Sequence, residues 1–155
     1  MRITDSKFYN LNKYMLSKRV EFSEIELILN NEEKIISHRP PDLKKKLIDK
    51  FVVQGWLQRK QLIEGSSKSI QLYKNRLGLQ IQFGHFAMAY YDILKFGTLF
   101  HNDEIDIAIF ICLEQNISQR LTANIVGYES FIFEYDHYSK FIDLPLAVFE
   151  LGETQ

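Results

Sequence analysis

Apolar positions follow a helical period early in the chain and a period of two near its middle. Ser23 precedes Glu26 at capping-box spacing, and Ile25, Leu27, Ile28 and Leu29 give the predicted helix an apolar face. Asn30-Asn31 suits its end. His38-Arg-Pro-Pro41 breaks the chain, because each proline fixes its own φ and restricts the residue before it. Asp42 then caps a second predicted helix. Leu43, Leu47, Ile48 and Phe51 lie on one side of it, with Lys44, Lys45, Lys46 and Lys50 around the rest. Gly55 stops it.

Strands are predicted over residues 56–63, 69–73 and 76–83, with turns at 64–67 and at Lys74-Asn75. In the third, Leu77, Leu79, Ile81 and Phe83 share one face, while Gln80 and Gln82 share the other. Residues 86–96 form a predicted helix so apolar that it belongs inside. Residues 105–113 read as a central strand covered on both faces. An aromatic-rich helix over 127–141 and a strand over 144–151 follow. No repeat, low-complexity stretch or linker divides the chain. The order implies one α/β domain over residues 1–155, built on a mixed sheet.

Composition narrows the picture. The 155 residues suit one core, and the aromatic share is high, with 12 Phe and 8 Tyr. No apolar run is long enough to span a membrane, and Met1-Arg-Ile-Thr-Asp-Ser-Lys7 lacks the apolar segment of a signal peptide. The single cysteine, Cys112, excludes an intrachain disulfide and a cysteine-rich zinc site, and the expected compartment is cytoplasmic. His38, His85, His101 and His137 are dispersed without ligand spacing. Trp56 reads as a core anchor rather than a base-stacking residue. The aromatics of both later helices belong to the core or to a dimer interface.

Charge is divided along the chain. Residues 1–80 hold 16 Lys/Arg against 9 Asp/Glu, and residues 81–155 hold 3 against 11. Such a division points to a polyanion-facing surface or head-to-tail assembly, or averages out where the halves interleave. The basic residues Lys44, Lys45, Lys46 and Lys50, with Arg59, Lys60, Lys68, Lys74 and Arg76, are the candidate DNA-facing surface, against a solvated helix face.

The candidate chemistry lies between Ile70 and Gly84. Gln71 stands nine residues before Gln80, and Gln82 follows. A metal-dependent nuclease would carry an aspartate and a glutamate at the first two of these positions. Together with Tyr9-Asn-Leu-Asn12, Leu43 to Gly55-Trp56, Tyr73-Lys-Asn-Arg76, Gln80-Ile-Gln-Phe-Gly84, Tyr91-Asp92, Lys95, Ile105-Asp106, Glu129 and Leu144-Pro-Leu146, this stretch resembles the BglII/BstYI family of type II restriction endonucleases. The match runs over nearly the whole chain.

The resemblance implies the restriction-endonuclease-like fold, duplex DNA as partner, a homodimer or pairing with another subunit, and Mg²⁺ as cofactor if activity remains. The family's catalytic pattern is an Asp, nine positions on a Glu, then one residue, then Gln or Glu. Those positions are Gln71, Gln80 and Gln82 here, and Lys44 is the nearest match to a further polar position on the second helix. Mg²⁺ favours anionic oxygen, and a glutamine offers one neutral carbonyl oxygen. The expectation is therefore no metal and no cleavage. Glu64, Asp92 or Asp106 could supply ligands in a shifted site, although structural roles suit the last two better. Glutamine amides and nearby lysines can donate to phosphate oxygens. Two functions follow from these residues, a DNA-binding domain without cleavage and a protein-interaction subunit that uses the dimer surface. An active nuclease with altered ligands is a third.

Overall fold

The computed structural model describes residues 1–11, 17–30, 35 and 38–153. The most apolar run, Ile107–Leu113, is buried along its whole length. Such a strand needs apolar neighbours on both edges and cover on both faces, and the remaining elements supply them. In chain order they are β1 (Arg2–Tyr9), α1 (Arg19–Leu29), α2 (Pro40–Val53), β2 (Leu57–Gln61), β3 (Ser69–Lys74), β4 (Leu77–Ile81), α3 (Phe86–His101), β5 (Ile107–Leu113), α4 (Gln115–Leu121), α5 (Tyr128–Tyr138), a 3₁₀ turn at Ser139–Phe141, and β6 (Leu146–Gly152). The strands form one sheet in the order β1-β6-β5-β4-β3-β2. β5 pairs in parallel with β4 and β6, and the three outer pairings are antiparallel. This is the α/β mixed sheet that the element order implies.

Period-two alternation sends each strand's side chains into two separate cores. Leu77, Leu79 and Ile81 of β4 and Ile107, Ile109 and Ile111 of β5 pack against Phe22 and Ile25 of α1 and Leu43, Leu47 and Phe51 of α2. Ala108, Phe110 and Cys112 face the other way, toward Ile93, Phe96 and Leu99 of α3 and Phe131 and Tyr135 of α5. Trp56 is the core anchor the sequence favours. It is buried, sits edge-on to Phe51 at 5.3 Å, and donates from Nε1 to Glu24 at 2.7 Å.

Several boundaries differ from the sequence reading. Helix α1 begins at Arg19, so Ser23 lies inside it and caps nothing, and Leu27 is exposed. Helix α2 begins at Pro40, because proline fits a first turn where no intrahelical donor is needed. Asp42 is therefore a first-turn residue, ion-paired to Arg39 at 2.8 Å. Helix α3 continues through Gly97 to His101. Two elements are additional, the edge strand β1 and the short helix α4. Asn31 and Asn12 lie outside the described residues. Among the described residues, no helix is long and apolar enough to cross a membrane.

The two charge halves interleave. Lys7 pairs with Asp136 at 2.7 Å, Lys18 with Asp106 at 3.1 Å, Lys60 with Glu104, and Arg76 with Asp103 and Asp106 at 2.7 and 2.9 Å. Each pair joins the basic half to the acidic half, so much of the apparent division is internal bookkeeping.

Two predictions follow from this packing. A Cβ at Gly78 would lie 2.6 Å from Phe96 Cε1 and 2.8 Å from Ile70 Cδ1. Gly78→Ala should therefore cost about 1–3 kcal/mol through overpacking, read from urea unfolding. A loss under about 0.5 kcal/mol would mean that the Phe96 ring yields freely, against the close packing described. The second concerns Asp106. Burial alone would raise its carboxyl, but Arg76 and Lys18 donating to it hold it below its ordinary 3.8. The unfolded chain then binds the proton more readily, so this stabilisation is present above 3.8 and fades as pH falls through the depressed value. Asp106→Asn should be less stable than wild type at neutral pH and lose that difference in strong acid. An equal gap at both pH values would remove the carboxylate from the explanation.

Candidate functional site

The β3–β4 hairpin positions the three glutamines at the end away from its turn. Leu72 pairs with Leu79, Tyr73 with Gly78 and Lys74 with Leu77, and the ladder stops there. Ile70 and Leu72 lie in opposite cores although they are two residues apart, so the alternation breaks at Gln71. The Gln71 side chain fills the gap. Its Oε1 accepts from the Ile81 backbone N–H at 2.8 Å, where a backbone carbonyl would serve in an unbroken ladder. The Gln71 Nε2 makes no hydrogen bond among the described residues.

Gln80 and Gln82 both face the α3 side. Gln82 follows β4, and its N–H donates to Ile111 O at 2.8 Å. With its amide oriented by its neighbours, its Nε2 donates to Asp92 Oδ2 at 2.9 Å and its Oε1 accepts from Ala89 N–H at 3.1 Å. Gln82 therefore joins the end of β4 to α3. Gln80 is 9% exposed and has no side-chain hydrogen bond among the described residues.

Asp92 is buried on α3, and Lys95 Nζ stands one turn along at 2.5 Å from its Oδ1. Lys95 also donates to Ser69 O at 3.2 Å, which ties α3 to the start of β3. Burial pushes the Asp92 carboxyl above its ordinary 3.8, against the opposing pull of Lys95 and Lys44. Lys44 feels the same charges. Burial lowers its ammonium from 10.5, Asp92 opposes that, and Lys95 adds to it. Lys44 belongs to the helix layer on one side of the sheet and Asp92 to the layer on the other. Each therefore acts on the other's charge from an opposite layer. The Tyr91 ring adds a partly exposed aromatic face, with Lys95 Nζ at 5.1 Å and Lys68 Nζ at 6.0 Å.

The other basic candidates do not gather here. Successive helical residues point about 100° apart, so Lys44, Lys45 and Lys46 face three directions. Lys45 and Lys46 are exposed, and Lys46 Nζ lies 2.9 Å from His38 Nε2. Lys74 and Arg76, expected on the DNA-facing surface, sit in ion pairs at the hairpin's turn. Lys74 donates to both Glu24 oxygens, at 2.9 and 2.7 Å, and to Gln54 O at 2.6 Å. Arg76 is held by Asp103 and Asp106. The sequence reading missed the Gln82–Asp92–Lys95 connection. Its signal is an acid and a lysine at i,i+3 on an otherwise apolar helix, where a charge needs a partner.

These residues do not fit Mg²⁺. The ion needs several anionic or carbonyl oxygens. The Gln71 and Gln82 oxygens are bonded to backbone N–H groups, and Asp92 is already met by an ammonium. Among the described residues, no group of three His, Cys, Asp or Glu is placed to hold a metal. Asp92 acts as a structural charge. Removing one partner of a buried ion pair strands the other, so Asp92→Ala should cost about 3–5 kcal/mol in urea unfolding. Asp92→Asn, which keeps an acceptor for Gln82, should cost less. An Asp92→Ala protein as stable as wild type would break the assignment.

Comparison with known proteins agrees with this fold. Residues 9–151 match the family model described as restriction endonuclease BglII/BglIII. By structure, the chain is similar to restriction endonuclease BglII complexed with a DNA 16-mer, with a TM-score of 0.79 and 17% identity over 99% of this chain and 78% of that one. It is also similar to free BglII, with a TM-score of 0.74 and 19% identity over 100% of this chain and 80% of that one. No curated protein matches in sequence. The mixed sheet between two helical layers, and a family match over residues 9–151, place this chain in the BglII/BglIII restriction endonuclease family, with its restriction-endonuclease-like fold.

Proposed function

We propose that this chain is a DNA-binding restriction-endonuclease-like domain that does not cleave through a metal ion and serves a restriction or defence assembly. One observation carries the reading. The carboxylate bonded to Gln82, Asp92, is committed to Lys95, and among the described residues no group of three His, Cys, Asp or Glu is placed to hold a metal. By resemblance, Gln71 and Gln80 stand where the family's metal-holding acids belong. A carboxamide keeps the shape of a carboxylate and removes its charge, so phosphate meets less repulsion and Mg²⁺ meets less attraction. The similar BglII is known in complex with a DNA 16-mer, which supports duplex DNA as the partner. Lys44, Lys45 and Lys46 on α2 are the basic residues that support contact with it.

A second reading, a protein-interaction subunit, is favoured by exposed apolar side chains on α3, α5 and the 3₁₀ turn. Leu94 is 69% exposed, Phe133 67% and Phe141 79%. Large apolar groups left in water suit a partner surface, either a second copy or another subunit.

Fluorescence anisotropy of labelled duplex DNA in EDTA, at low and near-physiological salt, separates the readings. The expected result is metal-independent binding that weakens steeply as salt rises, with no cutting of plasmid when Mg²⁺ is supplied. No binding at low salt would move the assignment to the protein-interaction reading. Plasmid cutting that EDTA and Gln82→Ala both abolish would overturn the proposed loss of cleavage.

A further inference from the structure

We propose that the seam between β1 and β6 is a proton-operated latch, in which a proton on the Glu150 carboxyl closes the N-terminal end of β1 onto the sheet and its loss loosens that end. The latch is independent of DNA binding and lies at the margin of the sheet opposite β2.

Glu150 is the one charged residue of β6, a strand buried along its whole length. Alternation turns it, with Val148, toward the core that α3 and α5 cover, and it is 8% exposed. Thr4 Oγ1 donates to its Oε2 at 2.6 Å. Asp5 stands opposite it on β1, and Cys112 beside it on β5. Glu114 reaches the same seam from the end of β5, since a Cβ at Gly152 would lie 2.9 Å from its Oε2 and 2.7 Å from Thr4 Cγ2. Tyr128 and Glu129 come from the first turn of α5. The strongest charges acting on Glu150 are Glu114, Asp5 and Glu129, all negative. Arg2, opposite Gly152, is exposed and is not among them. Burial pushes the Cys112 thiol and the Tyr128 phenol up, so both stay neutral beside it. A carboxyl out of water among like charges favours its protonated form. Burial, then these acids, hold Glu150 above its ordinary 4.5, against the opposing pull of the Thr4 bond.

Thr4 and Asp5 both belong to β1, so lifting this end admits water to Glu150 and removes one of the three acids. The register shift between Ile3 and Asp5 marks where the ladder is already irregular. Beyond it the strand is anchored. Phe8 packs edge-on against Phe22 and Phe149 at 6.2 and 6.1 Å, and Lys7 pairs with Asp136. The closed end therefore binds the proton more readily than the open one. Its stabilisation is full below 4.5 and is lost as pH rises through the raised value.

Amide hydrogen exchange of residues 2–5 in the full chain, expressed as protection relative to the intrinsic rate at each pH, reads this opening. From pH 4.5 toward neutral, wild type should lose protection there by about tenfold for each unit by which the carboxyl is raised, while residues 107–113 keep theirs. Glu150→Gln keeps an acceptor for Thr4 and should stay protected across the range. Asp5→Asn, at an exposed position, should move the midpoint of the loss to lower pH, because one of the acids that favour the proton is gone. Wild-type protection that ignores pH, or an equal loss in Glu150→Gln, would overturn the latch. So would an Asp5→Asn midpoint identical to wild type, and that variant decides the matter if Glu150→Gln does not fold.

Discussion

Neutralising the Asp92 carboxylate is the constraint around which this end of the sheet is organised. A carboxylate this deeply buried cannot stay ionised alone. Lys95 meets it from one turn along α3, and Gln82 reaches it from the end of β4. The Gln82 contact fixes α3 against the end of β4, and the Lys95 bond to Ser69 O fixes it against β3 as well. Gln71 then completes the β3–β4 ladder with its own side chain. Two of the three glutamines are thus joints of the scaffold, and Gln80 alone is left uncommitted.

That division shows how glutamine amides hold this end of the restriction-endonuclease-like fold together. A carboxamide is nearly isosteric with a carboxylate but can donate as well as accept. At position 82 this matters, because the neighbour is Asp92. A second carboxylate there would face a like charge in a buried setting, whereas the amide donates to it. Polar satisfaction and electrostatic function separate at this site. The backbone and α3 use the amides as structural donors and acceptors, and the lysines set the sign of the local potential.

The sequence made some of this legible. Residues 107–113 could be read as a central strand because seven consecutive apolar residues have no other place to go. The alternation in β4 sorted Leu77, Leu79 and Ile81 from Gln80 and Gln82 correctly, since both faces of that strand are buried among unlike neighbours. Strand β1 was not legible, because an edge strand with half its positions in water carries no strict alternation. Helix α4 is two turns long and too short for a period to show. At the site, the glutamine spacing was plain in the sequence. The fate of Lys74 and Arg76 was not, because the acids that hold them lie 50 and 30 residues away along the chain. Helical geometry could have separated Lys44 from Lys45 and Lys46, since neighbours on a helix never share a direction.

Strand β1 has a consequence for how the chain reaches its native state. It lies against β6, with Thr4 bonded to Glu150 across 146 residues of sequence. Contacts so distant carry the heaviest loop-closure entropy, so this pairing belongs to the end of folding, after the β3–β4 hairpin and the parallel β4–β5 core. Until it forms, β6 is an apolar edge with free backbone groups, a template for any other extended segment. The polar, half-exposed strand that closes over it turns the sheet's most adhesive margin into one that water can face. In a crowded solution, the speed of that last closure sets how long the nascent domain is exposed to aggregation.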